Sequence, residues 1–256
     1  MKKPRSAGLI AAGSLTDSPL IHFHRLSEVL GPVKSPSYRL ASRISNLLRA
    51  GHPVKDYADL ESCGLILIWV PGQQVPRIVA ELLAGKISWR GKCVVLFSDW
   101  QDSSDLRQLA ARGASVGSIS PIPGFDNLFL VEGDRRAILE GKRLVESRGT
   151  RTVAIERALK PLYLAALTCT SSLLFALLLA ASESLRHAGI TPVLRATLLE
   201  RQLNRTLRAF HKGGRRAYQP PQELPRQLRT LAAQDAALAH YFEQTSRLAS
   251  RLLEEG

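Results

Sequence analysis

Short apolar runs alternate with amphipathic stretches through the first 150 residues, and this alternation limits the fold more than any other feature. The clearest run, residues 64–70 (GLILIWV), is apolar without interruption and ends at Pro71. Strands that are covered on both faces are apolar throughout, so such runs predict the parallel sheet of βαβ units. Further strands are predicted at 8–12, 31–35, 92–97, 114–119 and 127–131, and helices at 19–30, 38–49, 73–83 and 104–112.

The strand patterns stop at about residue 156. Helical patterns then occupy 158–187, 191–211 and 222–253, with a Pro- and Gly-rich connection at 213–225. We therefore expect an α/β sheet domain over residues 1–155 and an all-α domain over residues 156–256.

One stretch of the α domain, residues 161–182, carries no charge over a length that could span a bilayer. Polar residues lie in its middle, including Thr168, Thr170 and Ser171, and the chain has neither a second span nor an aromatic belt. The stretch is therefore predicted to be a buried core helix or a dimer-interface helix, and no membrane association is expected.

The cysteine and histidine patterns predict neither a disulfide nor a metal site. Cys63, Cys93 and Cys169 are odd in number and stand among apolar residues and Thr, which is typical of buried thiols in a reducing cytoplasm. His22 and His24 are two residues apart on a predicted helix and point to different faces, which disfavours a shared metal.

The net charge of +13 favours an anionic partner, and basic residues are concentrated between positions 195 and 216. Phe210, His211 and Tyr218 stand among or beside these basic residues. Two interpretations remain open: a solvated helix face, or contact with RNA or phosphate. No RNP, KH or helix-turn-helix signature is present, so nucleic acid is not an expected partner.

Four longer stretches carry a resemblance when they are taken together and in order. They are LIWVPGQQV (67–75), LRQLAARGASVGSISPIPGF (106–125), FLVEGD (129–134) and LYLAALTCTSSLLFALLLAASESLRHAGI (162–190). The chain resembles two-domain Rossmann-like proteins of largely unknown function that are related to pyrroline-carboxylate and ketopantoate reductases. The resemblance implies a doubly wound, mostly parallel sheet that binds NADP, followed by a helical domain that forms a homodimer.

The first loop departs from the glycine pattern of that family, which reads like G-x-G-x-x-G. Here residues 11–16 are AAGSLT, so only the middle glycine, Gly13, is kept. Asp17 near the start of the next helix would repel phosphate groups. A plain strand-to-helix turn and a tolerant cofactor loop both remain open.

The end of the second strand has Lys34, Ser35, Ser37 and Arg39, which suit the 2′-phosphate of NADP better than the free ribose hydroxyl of NAD. The resemblance thus assigns the cofactor to this set: Gly13, Ser14, Leu15, Thr16, Lys34, Ser35, Arg39, Val70 and Pro71.

The reaction site implied by the resemblance keeps Ser98, Pro121 and Tyr163 but has lost both histidines and the asparagine. The family places Ser-Gly, His-Pro, Tyr-His and Asn where this chain has Ser98-Asp99, Ser120-Pro121, Tyr163-Leu164 and Ser172. Hydride transfer needs a proton donor or acceptor beside the substrate, so Asp99 is a candidate base and Tyr163 a candidate acid. The candidate reaction residues are Ser98, Asp99, Ser120, Tyr163 and Ser172.

Three functions follow from these observations. One is a dimeric binding or scaffold protein of the reductase type with weakened or lost catalysis. Another is an active NADP-dependent reductase of a small carbonyl or imine substrate. The last is a binder of anionic ligands or nucleic acid through residues 195–216.

Overall fold

The computed structural model describes residues 6–13, 23–146 and 149–254. The strands are β1 Ala7–Ala11, β2 Leu30–Lys34, β3 His52–Val54, β4 Leu65–Trp69, β5 Cys93–Phe97, β6 Ser115–Pro121, β7 Leu128–Gly133 and β8 Arg151–Ala154. The helices are α1 His24–Val29, α2 Tyr38–Leu48, α3 Val75–Ala84, α4 Arg107–Ala111, α5 Arg135–Val145, α6 Lys160–Thr168, α7 Leu174–His187, α8 Pro192–Gly213, α9 Leu224–Gln234 and α10 Ala236–Glu254.

The described strands form one sheet in the order β3-β2-β1-β4-β5-β6-β7-β8. The first six strands of this order pair in parallel, β7 runs antiparallel to β6, and β8 runs parallel to β7. The order reverses between β1 and β4, where a doubly wound sheet opens a crevice at the carboxyl ends of its strands. The prediction of a mostly parallel Rossmann-like sheet followed by helices is confirmed.

Burial on both faces explains why the central strands are so apolar. Every residue of β1 and β5 is buried, as are the first four of β4. One cluster of buried side chains includes Leu9, Leu67 and Val95, and a second includes Ile10, Ile68 and Leu96. Alternate residues of each strand thus contribute to the cores above and below the sheet, as strand geometry requires.

The described residues fall into two compact units that divide between Ala165 and Ala166. The second unit buries little of its own apolar surface: Ala239 is its single buried residue among those described. Large apolar side chains on α7 are instead exposed, with Phe175 at 68% and Leu179 at 55%. A set of helices that buries so little apolar surface by itself requires additional cover.

The long apolar helical segment Lys160–His187 passes the length and composition test for a membrane span, and none of its apolar window is buried within the chain. The prediction of a buried core helix is therefore wrong for the isolated chain. Cys169 is likewise exposed, whereas Cys63 and Cys93 are buried as predicted. The physical reason is the same for both: no element among the described residues covers that surface.

Other differences from the sequence patterns are local. The predicted helix at 19–30 lies partly outside the described residues, and its described part gives way to β2 at Leu30. The predicted helix at 222–253 is two helices, because Asp235 is extended and its carboxylate accepts a hydrogen bond from the Leu238 amide at 2.9 Å. Such an N-cap starts a new helix.

Candidate functional site

The crevice between β1 and β4 lies where a Rossmann-like sheet holds a dinucleotide. The two strands pair up to Ala11 and Trp69, and the Ala12 amide donates to the Trp69 carbonyl at 3.0 Å. Gly13 follows with φ of +99°, and no atom of the described residues lies within 4 Å of the position that a Cβ would take. Glycine adopts that conformation with much less strain than other residues. The predicted contacts Ser14, Leu15 and Thr16 lie outside the described residues.

Of the residues at and after the end of β2 that are predicted to contact the cofactor, one has a buried side chain and the others are accessible to solvent. Ser35 is buried and its hydroxyl donates to the Ala11 carbonyl at 2.6 Å, which ties β2 to β1. The Lys34 ammonium donates to the Ser35 carbonyl at 2.7 Å and lies 4.9 Å from the centre of the Tyr57 ring. Arg39 is exposed in the first turn of α2, whose N-cap is Ser37. Lys34 and Arg39 therefore remain as cations at this corner, while Ser35 holds the strands together.

The loops after β4 and β5 are packed against each other. Val70 is buried and Pro71 is exposed, and the Gln101 side chain lies directly against the Cα of Gly72, where a Cβ would overlap it. The Ser98 hydroxyl donates to the Gln101 side-chain oxygen and accepts from the Trp100 and Gln101 amides. Ser98 therefore stabilises a turn, residues 98–101, that packs against the loop after β4 through Gln101.

Lys160 is the functional candidate that the sequence patterns miss. Its side chain is fully buried, and the ammonium donates to the Ser98 carbonyl at 2.6 Å and to the Gln101 carbonyl at 2.7 Å. Burial lowers the pKa of Lys160 to about 8, although the carboxylates of Glu132, Asp99, Asp102 and Asp105 oppose the shift. The one sequence feature that points to Lys160 is its position: a lysine in the first turn of a helix interacts unfavourably with the helix dipole.

Glu132 is the buried anion of the same region. Its carboxylate accepts from the Ser103 amide at 2.7 Å, the Ser103 hydroxyl at 2.7 Å and the Ser118 hydroxyl at 2.6 Å. Three donors of this kind satisfy a carboxylate that is wholly removed from water. Together Glu132 and Lys160 fix the chain from residue 98 to residue 103 against β6, β7 and α6.

Two predicted reaction residues present hydroxyls without partners among the described residues. The Ser120 hydroxyl, in a side chain 2% exposed near the carboxyl end of β6, and the buried Tyr163 hydroxyl both lack a hydrogen bond. Tyr163 stands three residues after Lys160, so both lie on one face of α6. Buried polar atoms without partners are rare and call for an explanation, of which a bound ligand is one.

The electrostatics around Tyr163 keep it protonated. Desolvation raises the pKa of Tyr163, and the nearby carboxylate of Asp99 raises it further. Desolvation also raises the pKa of Asp99, against the opposing charge of Lys160. The tyrosine is thus a hydrogen-bond donor at neutral pH and a weak acid.

The structure places Ser98, Asp99, Ser120 and Tyr163 in the first unit. Ser172 is exposed in the second unit, within a π-helical turn at Cys169–Leu173. Within the described ranges, no group of three His, Cys, Asp or Glu side chains could hold a metal ion.

The strand order, with its reversal between β1 and β4, and the helical second unit define the class: a doubly wound, Rossmann-like fold. Residues 127–219 match a family model described as "Domain of unknown function (DUF2520)". A search of curated proteins finds no significant match to the sequence.

Solved structures share the fold over almost the whole chain. An imine reductase from Myxococcus stipitatus in complex with NAD+ has a TM-score of 0.70 at 15% identity, over 98% of this chain and 93% of that one. Protein TM1727 from Thermotoga maritima has a TM-score of 0.65 at 16% identity, over 97% and 98%. A reductive aminase from Aspergillus terreus in complex with NADPH and ethyl levulinate has a TM-score of 0.64 at 17% identity, over 98% and 94%. This chain thus has the same Rossmann-like fold as these structures, at low sequence identity.

Proposed function

We propose that the first unit binds a nicotinamide dinucleotide, with a preference for NADP, in the crevice between β1 and β4. The observation that carries the proposal is Gly13, whose positive φ and lack of any neighbour among the described residues suit the close approach of a phosphate to the backbone. Lys34 and Arg39 stand at the end of β2, where cations favour the 2′-phosphate of NADP. Solved neighbours that hold NAD+ or NADPH support the same assignment.

Titration with NADPH tests this proposal through the fluorescence of the tryptophans, since Trp69 ends β4 beside the crevice. We expect saturable binding that is tighter for NADPH than for NADH and at least about tenfold weaker in Gly13→Asp, where a carboxylate would meet the phosphates. Gly113→Asp is the matched control, because Gly113 also has a positive φ, +97°, but lies just before β6, at the amino ends of the parallel strands. Equal affinity of Gly13→Asp and the native protein would overturn the proposal.

We further propose a slow reductase of a small imine or carbonyl compound, with Ser120 orienting the substrate and Tyr163 donating the proton. The bound cofactor would supply the hydride. The two unpartnered hydroxyls support this assignment, since buried donors without partners call for an acceptor. A carbonyl oxygen has two lone pairs for such donors, whereas an imine nitrogen has one and would take the proton from Tyr163. The raised pKa of Tyr163 makes it a weak acid, which predicts low turnover.

NADPH consumption with a panel of cyclic imines and small ketones tests this step. Tyr163→Phe should lower kcat at least about a hundredfold while NADPH affinity is kept. Tyr38→Phe, at a half-exposed tyrosine of α2, is the control. Turnover by Tyr163→Phe at the native rate would contradict the role.

A second candidate is a dinucleotide-binding scaffold without turnover. The internally satisfied Ser98 hydroxyl and the Lys160 ammonium favour it, because both groups are engaged in holding a turn. Tight NADPH binding with no hydride transfer to any member of the panel would identify this function.

We propose that the assembled protein is a cytoplasmic homodimer built through the second unit. The exposed apolar side chains of α7 and the scarcity of buried residues in that unit support a partner. The buried positions of Cys63 and Cys93 are compatible with a reducing compartment.

A further inference from the structure

The second unit carries a line of unpaired cations along α8. Arg201, Arg205, Arg208 and Lys212 are separated by four, three and four residues, so they lie within roughly 60° of arc on one face of the helix. We call these four residues the basic stripe. All four are exposed, and the six ion pairs formed by described side chains include none of them.

Such a stripe is unfavourable in the absence of an anion. Like charges three or four residues apart repel one another along a helix, and here the repulsion runs over a rise of roughly 16 Å. A two-fold dimer contact places the same patch on both subunits, so the basic stripe does not suit self-association. The stripe therefore calls for an anionic partner of comparable length.

A cavity adjoins the basic stripe at Arg205. It has a volume of about 710 Å³ and lies between α8, the turn Gly214–Ala217 and the end of α10. Phe210 and Tyr218, which are 63% and 40% exposed, line it. Arg215 also lines it and is held in place, because its guanidinium donates to the Leu252 carbonyl at 3.0 Å and to the Leu253 carbonyl.

We propose that the basic stripe and this cavity form a binding site for single-stranded nucleic acid. The phosphates lie along the stripe, and a base enters the cavity against Phe210 or Tyr218. Arginine forks suit phosphate oxygens, and aromatic side chains beside a cationic track are the usual means of holding an unpaired base.

Two other anionic partners fit less well. A bilayer surface is flat and cannot fill a concave cavity that holds the exposed aromatic rings. A duplex keeps its bases stacked and leaves the cavity unused. The sequence has no nucleic-acid-binding motif, so nucleic acid is not expected from it. The structure favours nucleic acid because it places the basic stripe of α8 beside a cavity lined by aromatic side chains.

The inference is independent of the proposed function, since every residue named for the site lies in the second unit. Fluorescence anisotropy with a labelled oligothymidylate of about twelve nucleotides measures it directly. Four neutralised phosphates predict a slope of about −3 for log affinity against log salt.

The variant Arg201→Gln, Arg205→Gln, Arg208→Gln, Lys212→Gln should reduce that slope to near zero and weaken binding more than about tenfold at low salt. Glutamine keeps the helix propensity, and a thermal melt verifies folding. The matched control replaces four exposed cations of the first unit, Arg43, Lys86, Arg90 and Arg112, by Gln. Phe210→Ala should weaken binding by about tenfold through lost stacking.

Four outcomes would overturn the inference: no saturable binding at low salt, an equal loss in the control variant, tighter binding to duplex than to single strand, or a preference for anionic vesicles. NADPH binding in the stripe variant should match the native protein, so that failure of this site and failure of the dinucleotide site are distinguishable.

Discussion

A single lysine organises the carboxyl edge of the first unit. The Lys160 ammonium holds the turn after β5 through two backbone carbonyls, and Glu132 compensates its charge from β7. Removing either of two buried opposite charges leaves the other uncompensated, so such residues are intolerant of substitution. The same turn contains Ser98 and Asp99, which means that Lys160 positions groups that the sequence assigns to the reaction.

The burial of Lys160 predicts an alkaline rise in stability. Its pKa is about 8 in the folded chain and 10.5 when unfolded, so between these values the unfolded state binds more protons. The free energy of unfolding should therefore rise by about 3 kcal/mol from pH 8 to pH 10.5 and lose that increment as the pH falls again. Urea unfolding at a series of pH values measures it.

Lys160→Met should lack this rise. The matched control is Lys92→Met, at a second buried lysine whose ammonium also donates to two backbone carbonyls, those of Glu61 and Cys63. The raised pKa values of Cys63 and Tyr57 work in the opposite direction at alkaline pH, and the comparison between variants cancels them. Parallel pH profiles for the native protein and Lys160→Met would refute the assignment.

At the level of elements, the antiparallel strand β7 depends on a pair of glycines. Gly133 has φ of +122° and faces Gly117 of β6. A Cβ on Gly133 would overlap the Val116 carbonyl oxygen and the Gly117 Cα. The close approach lets the chain leave β7 and enter α5 at Arg135, which packs on β6.

Gly133→Ala should therefore lower the free energy of unfolding by about 3 kcal/mol or more, because strain and overlap add. Gly124→Ala, at φ of +83° with no atom within 4 Å, should cost only about 1 kcal/mol. Thermal or urea unfolding of the two variants compares them. Equal losses would show that close packing at β6–β7 contributes nothing.

The sequence predicts those elements whose pattern is set by burial. Continuous apolar runs locate β1, β4 and β5, since both faces of each strand are covered. The edge strand β3 is only three residues with Pro53 in its middle, and β8 begins at Arg151, so neither has an apolar pattern. The strands at the two ends of the sheet are defined by pairing, which a local pattern does not contain.

The sequence indicates where in the fold the candidate site residues lie, but it does not indicate which atoms they contact. The resemblance points to the carboxyl ends of β5 and β6; Ser98 directly follows β5, and Ser120 lies within β6. The Ser98 hydroxyl is engaged within its turn and the Ser120 hydroxyl is not, a distinction set by loop geometry. Lys160 and Glu132 resemble ordinary surface charges in the sequence, and their burial depends on contacts between distant segments.

On the scale of the whole molecule, the exposed apolar surface of the second unit predicts self-association. The native protein should sediment as a dimer, with a Tm that rises with protein concentration. The double variant Phe175→Glu, Leu179→Glu should be monomeric, because charges at two exposed apolar positions of α7 cannot be buried without partners. Sedimentation velocity measures both.

Tyr38→Glu with Leu47→Glu provides the matched control, since both side chains are half-exposed apolar groups on α2 of the first unit. That variant should remain dimeric. A native protein that is monomeric at tens of micromolar, or that partitions into membranes, would contradict the dimer.

The two short edge strands have a consequence for colloidal behaviour. A long exposed edge is a template on which other chains add strands and grow fibrils. Here one edge, β3, offers three residues interrupted by Pro53, and the other, β8, offers four with a cation at its start. Amyloid-type growth from the sheet is thereby discouraged, and a concentrated solution of this protein should associate through its helices into particles of defined size.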